Sequence, residues 1–253
     1  MNWIGLQTFI WKDIKRFFRV AIQTLLTPWI SATLFIFIFG AVIGQRVGTI
    51  EGIPYITFVL PGILMMNVIM SAFSQSSSSL YMHRFTRSIE EILIAPLAHF
   101  EMVFGYLSGA VFRGVVVGLG ILIVGLTFGA VQMQHVFVFL VYLVAVSAVF
   151  GLLGLLVALW ANSFEQLTIL NTFLITPLSF LGGVFNSISM LPGNLQTIAR
   201  FNPFFYFIDG IRYSMTGFHD ADLLTGGLII AGLFVILFYL VYYLFKIGWR
   251  IRV

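Results

Sequence analysis

Apolar residues recur in this chain in two ways, and the difference defines its elements. Six windows, about 25–44, 56–78, 104–130, 136–160, 168–188 and 227–245, are apolar almost without interruption and hold at most one charge each. Twenty residues rising 1.5 Å apiece cover a hydrocarbon core of roughly 30 Å, so each window predicts a helix that crosses a bilayer. Residues 3–21 follow another rule. At 100° per residue, Trp3, Leu6, Ile10, Ile14, Phe17 and Ala21 share one stripe about 80° wide, and Lys12, Lys15, Arg16 and Arg19 gather opposite. This predicts a helix in the headgroup plane, its stripe in the acyl region and its cations against anionic lipid. The plainer alternative is a basic anchor ahead of the first span.

Composition points the same way. Of 253 residues, 60% are hydrophobic and 9% charged, where a soluble domain has about a quarter charged. The fold class is therefore an all-α polytopic membrane protein. With no cysteine, disulfides and thiolate-held metals are excluded. The basic start resembles a signal sequence, but the apolar stretch behind it is too long and lacks a small-residue cleavage site, so it reads as a retained span. With the N-terminus in the cytoplasm, Lys12, Lys15, Arg16, Arg19, Arg84, Arg87, Lys246, Arg250 and Arg252 lie inside, against Arg46, Arg200 and Arg212 outside. An even number of spans returns the basic C-terminus to the same side. The net charge of +4 is thus a topology signal and gives no reason to expect a nucleic-acid partner.

Charge inside this oily chain concentrates in residues 79–103, the longest cytoplasmic loop of that topology. RSIEEILIAP, residues 87–96, has Ser88 and Glu91 at capping-box spacing, with Glu90 and Glu91 at the positive end of the helix dipole. Ile89, Ile92 and Leu93 form an apolar edge, and Pro96 stops the helix after about two turns. A helix that short is unstable alone in water. It docks either on the chain's own span ends or on a soluble partner.

Several breakers fall inside spans. Pro61 and Gly62, and Pro177, predict kinks, since a missing hydrogen bond at membrane depth is tolerated only where neighbours satisfy the freed carbonyl. Gly105 with Gly109, and Gly114 with Gly118, have the spacing that lets helices approach closely. Residues 189–226 are too polar for a span and too aromatic for an open loop. They predict two short helices, about 191–200 and 203–217, dipping into the outer leaflet and separated at Asn202-Pro203. Asp209 and Arg212, at i and i+3, are placed to pair on one face of the second helix.

Chemistry-bearing residues are few. No Asp or Glu lies in any of the six windows, which disfavours an ion-coupled secondary transporter. The lysines Lys12, Lys15 and Lys246 sit in no P-loop setting, so the chain has no ATPase site of its own. His83, His99, His135 and His219 lie near span ends or in loops without metal-ligand spacing, and Ser76–Ser79 more simply bond back to their helix. Arg113 is the one cation within a window. It either snorkels to the cytoplasmic headgroups, the favoured reading, or faces the transport path and meets an anionic substrate.

PGILM in the second window, RSIEEILIAPLAHFE in the loop, and TPLSFLGGVFNSISMLPGNLQTIARFNPFFYFIDGIRY near the end resemble the membrane permeases of type-2 ABC exporters, in order and over nearly the whole chain. The resemblance implies six spans, an interfacial helix before the first, and a re-entrant hairpin over 191–217 before the last. It implies a dimer with a second copy of itself, working with two separate ABC ATPase subunits that use ATP and Mg; this chain binds no cofactor and holds no metal. It makes 87–96 the coupling helix, with Arg87, Glu90, Glu91, Ile92, Leu93 and Pro96 meeting the ATPase. Asn202, Pro203, Tyr206, Asp209 and Arg212 become candidates for the path. The implied cargo is a polysaccharide, glycolipid or amphipathic small molecule, and the implied place a bacterial inner membrane. A six-span secondary transporter or channel is the alternative.

Overall fold

The computed structural model describes residues 2–251, and Arg252, one of the cations assigned above, lies outside them. Helices follow one another as α1 (Trp3–Arg19), α2 (Ala21–Ile36), a π-helical segment (Phe37–Ile43) and α3 (Gly44–Val47). A small antiparallel hairpin, β1 (Thr49–Ile50) and β2 (Ile53–Pro54), leads into α4 (Tyr55–Phe85). Then come α5 (Ile89–Ile94), α6 (His99–Thr127), α7 (Val136–Trp160), α8 (Phe164–Leu170), α9 (Thr176–Leu181), α10 (Gly193–Phe201), α11 (Pro203–Thr216) and α12 (Leu223–Ile247).

Five helical runs are long and apolar enough to cross a membrane: Ala21–Val47, α4, α6, α7 and α12. They match five of the six windows. The window 168–188 is met by a shorter run in which α8, a π-helical turn (Asn171–Ile175) and α9 succeed one another and stop at Gly182. Polar residues account for the irregular middle: the Thr176 hydroxyl donates to the Asn171 carbonyl five residues back at 2.9 Å, matching the wider π turn. Pro177 comes just after the π-helical turn, where the i→i−4 ladder that its missing N–H would break is already interrupted. Pro61 lies inside α4, whose assignment runs through it unbroken.

α4 is the central element, buried nearly all round by α6 and α7 together with α2 and α11. Glycine makes that density possible. Gly114 and Gly118 of α6 face Ser147 and Leu143 of α7, and a Cβ on Gly154 of α7 would lie 2.5 Å from the Phe73 carbonyl of α4. Gly105 and Gly109, by contrast, receive Phe9 and Asp13 of α1. The small-residue spacing in α6 therefore serves two neighbours. α2 and α12 keep much of their apolar surface uncovered, Ile22, Leu34, Leu228 and Val235 among them, as lipid-facing helices do.

At 31 and 29 residues, α4 and α6 are about 46 and 44 Å long, some 15 Å more than a hydrocarbon core. The excess lies at the end carrying α5, where buried polar side chains gather: Gln75, Ser76, Ser77, Ser79, His83 and Glu101. α1 packs there. Its contacts run from the loop before α6 up that helix in order, Gly5 to Leu97, then Phe9 to Gly105, Asp13 to Gly109 and Phe17 to Phe112. Protein packing selects a face that overlaps the periodic stripe only at Leu6 and Phe17. The buried face is Leu6, Phe9, Asp13 and Phe17, whereas Trp3 is exposed and Ile10 and Ile14 are half-buried. The slot left by Gly105 and Gly109 selects a phenyl ring and a carboxylate that apolar spacing alone does not rank together.

Candidate functional site

Three clusters bring the sequence-predicted residues together. The first surrounds α5. Its start differs from the predicted capping box: Ser88 is itself helical, and its hydroxyl bonds the Thr86 hydroxyl at 2.9 Å and caps no backbone N–H. The turn is closed instead by Arg87 at φ 59°, whose carbonyl accepts from the Glu90 N–H at 3.2 Å. At the other end Ala95, preceding Pro96, is extended, as the ring of a following proline requires. Ile89 and Ile92 are buried in the protein's own core and Leu93 is half-buried against it, so Ile92 is anchored inward and unavailable to a partner. Glu90, Glu91 and Ile94 face out, Ile94 at 84% exposure.

Neighbouring cations brace this face. Arg84 donates to the Ala158 carbonyl and, at 3.2 Å, to that of Ala161, while Arg250 donates to Trp160. Two guanidiniums thus satisfy the free carbonyls at the negative end of the α7 dipole. Arg84 also donates to the Arg250 carbonyl at 2.8 Å, tying the chain after α12 to α4. A cavity of about 220 Å³ opens between them, lined by Arg84, Arg87, Glu90, Asn162 and Arg250. Glu101 accepts from the Ala98 N–H at 2.8 Å and the Asn2 N–H at 2.6 Å, closing the first turn of α6 and holding the chain's start.

The second cluster centres on Asp13, 3% exposed. It accepts from Ser79 at 2.8 Å and Gln75 at 3.3 Å and pairs with Arg16 at 3.5 Å. The Gln75 amide oxygen in turn accepts from Arg113 at 3.3 Å. The Arg113 Nε is buried and has no hydrogen-bond partner. Its side chain lines a groove of about 800 Å³ bounded by α2, α4 and the α8–α9 run, whose walls carry Thr24, Ser31, Asn67, Ser71, Asn171 and Thr176.

Arg212 organises the third cluster. It is 1% exposed and donates to the carbonyls of Gly183 at 2.5 Å and Phe58 at 3.3 Å, with its guanidinium 4.0 Å from the Phe58 ring centre. Asp209 is also buried, but it does not pair with Arg212. Its two oxygens accept from the backbone N–H groups of Asp220 and Ala221 at 2.8 and 3.0 Å, which corrects the predicted i, i+3 pair. Backbone carbonyls and the N–H groups of the loop before α12 outcompete a neighbouring side chain because both groups are buried and each needs several partners. Asn202 caps α11 by accepting from the Phe204 N–H at 3.1 Å and donates to the Leu178 carbonyl at 2.6 Å, with Pro203 as the first helical residue. The Tyr206 hydroxyl donates to the Arg200 carbonyl at 3.0 Å, joining α11 to α10. Gly62 has a packing role: a Cβ there would sit 2.6 Å from the Val184 carbonyl oxygen. Pro61-Gly62, Gly182-Gly183-Val184 and Arg212, far apart in sequence, thus meet at one point.

Asp13, Gln75 and Glu101 were not singled out from the sequence. Asp13 lies among lysines and arginines and reads as a solvated charge; the facing Gly109 was the available signal. The ABC-2 type transporter profile matches residues 5–216. The chain is similar to the inner membrane transport permease YadH of Escherichia coli strain K12, with 39% identity over 244 residues, covering 95% of this chain and 94% of that one. It is also similar to Nodulation protein J of Rhizobium meliloti strain 1021, with 30% identity over 222 residues, covering 85% and 82%.

Proposed function

Since the chain belongs to the ABC-2 type transporter family, we propose that it is the permease subunit of an ATP-driven exporter in an inner membrane, the location named for its YadH relative. Two copies form the path for a polysaccharide, glycolipid or amphipathic small molecule, and each copy engages a separate ATPase that binds ATP and Mg. In this arrangement the α8–α9 run serves as the fifth of six spans and α10–α11 as a re-entrant hairpin. The α5 end lies in the cytoplasm with both termini, where the positive-inside tendency puts Arg84, Arg87, Lys246 and Arg250.

The supporting observation is the two-sidedness of α5. Ile89 and Ile92 fix the helix to the core, and Glu90, Glu91 and Ile94 are left outward on a braced platform. An exposed isoleucine flanked by two carboxylates suits a soluble partner with an apolar pocket and a basic rim, and it connects that partner rigidly to α4 and α6. Co-purification with the ATPase tests this. Reversing Glu90 and Glu91 to lysine, or replacing Ile94 with aspartate, is expected to leave the permease folded and to weaken ATPase association by about ten-fold or more. Retention of the ATPase at wild-type stoichiometry by both variants overturns the assignment of α5.

A further inference from the structure

The groove that contains Arg113 is polar on several sides and carries an unbalanced charge. Around it Asp13 is, among the described residues, the one carboxylate in hydrogen-bonded or ion-paired contact with the network, and it is shared with two guanidiniums, directly with Arg16 and through Gln75 with Arg113. One positive charge is left over. Asp13 is already engaged by Ser79, Gln75 and Arg16, so it does not neutralise Arg113. The second observation is independent of charge counting. The Arg113 Nε is buried without an acceptor, and the guanidinium makes a single protein hydrogen bond, at 3.3 Å. A guanidinium offers five N–H donors in a fixed fork. Of these the Nε is enclosed without an acceptor among the described residues, which is costly, and the rest of the fork lies along the groove.

The groove supplies what surrounds such a fork. Hydroxyls and amides from Thr24, Ser31, Asn67, Ser71, Asn171 and Thr176 line a space of about 800 Å³, and no Asp or Glu is among the lining residues. We propose that this groove is a binding site for an anionic group, a phosphate or carboxylate carried on a hydroxyl-bearing or amphipathic molecule, with Arg113 as its recognition residue. The assignment rests on the permease reading only in taking the occupant to be cargo; the site's preference for an anion stands apart from it. Two oxygens of a phosphate or carboxylate match the spacing of the terminal nitrogens of the fork, and the hydroxyl-lined walls accept the neutral remainder. The same chemistry is offered by an anionic lipid headgroup of the adjoining leaflet, and the experiment separates the two sources.

The full permease, without its ATPase, is placed in phosphatidylcholine nanodiscs and titrated with dodecyl phosphate and with dodecyl maltoside, equal in chain length and different in charge. The wild type is expected to bind the phosphate about ten-fold or more tightly than the maltoside, the scale of one charge-assisted bidentate contact. Arg113→Gln removes that preference, and Arg113→Lys retains part of it. Adding phosphatidylglycerol to the disc assigns the occupant. Competition with dodecyl phosphate identifies a membrane lipid, and its absence identifies cargo. Equal affinity of the wild type for the two headgroups, or an undiminished preference in Arg113→Gln, overturns the site. The wild-type comparison decides the matter even if the glutamine variant fails to fold. Because no ATPase is present, failure of α5 to couple to one leaves this result unaffected.

Discussion

Arg113 and Arg212 are the same side chain in different settings, Arg113 partly buried beside a groove and Arg212 fully enclosed, and the protein treats them differently. Arg212 is met by two carbonyls and an aromatic face and joins α11 to α4 and to the loop after α9. Arg113 is met by one amide oxygen and looks into a groove. A cation enclosed by carbonyls from two elements and an aromatic face is part of the framework. One that faces a groove with a single protein hydrogen bond is where we place an anion. The contrast sets a charge enclosed by the framework against one open to a ligand, without reference to where either lies in the sequence.

The sharpest way to test the contrast is to remove the charge that is satisfied. Arg212→Met strips the Gly183 carbonyl of its donor and leaves a void beside Phe58, and a loss of about 3 kcal/mol or more is expected. Thermal unfolding in detergent and membrane abundance should both report it. A variant as stable as the wild type would mean that the Arg212 contacts are incidental and would remove the framework half of the comparison.

A smaller loss is expected where the two kinds of site touch. Asp13→Asn keeps the shape that fits the Gly109 slot but leaves Arg16 without its counter-charge, for a destabilisation of about 1–3 kcal/mol. Limited proteolysis between α1 and α2, near Val20, is a sensitive readout, because Asp13 is the polar anchor that holds α1 to α4. Unchanged protection would show that Leu6, Phe9 and Phe17 suffice.

The least change is expected at Arg113. Arg113→Gln should leave the melting temperature equal to or above that of the wild type, within about 0.5–1 kcal/mol, since one long hydrogen bond is lost and an unpaired charge is relieved. A destabilisation on the scale of Arg212→Met would erase the distinction between the two arginines.

Much of this was legible in the residues. Unbroken apolar windows locate five long helices, because at membrane depth the backbone must satisfy itself and only apolar side chains are tolerated on the lipid face. Pro96 and Asn202-Pro203 end and separate helices where they are found, since proline restricts its own backbone and that of its neighbour. What was not legible depends on groups without a side-chain signature. Arg212 binds carbonyls, which every residue has, so sequence spacing offered Asp209 instead. Ser88 loses its capping role to a competing hydroxyl at Thr86. Ile92 faces inward because of where α4 ends, which is a matter of three-dimensional docking. Asp13 is readable only together with Gly109, about a hundred residues later.

That separation has a consequence for how the chain is made. The slot for α1 is built from Gly105 and Gly109, and its first tie is the Asn2 N–H to Glu101, 99 residues downstream. A ribosome adding about 5–20 residues per second needs roughly 5–20 s to travel that far. For that interval α1 has no berth in the protein, and its lysines and arginines can rest against anionic headgroups. Its amphipathic pattern is then suited first to waiting at the lipid surface and afterwards to being drawn in, once α6 has been synthesised, by a phenyl ring and a carboxylate fitting two glycines.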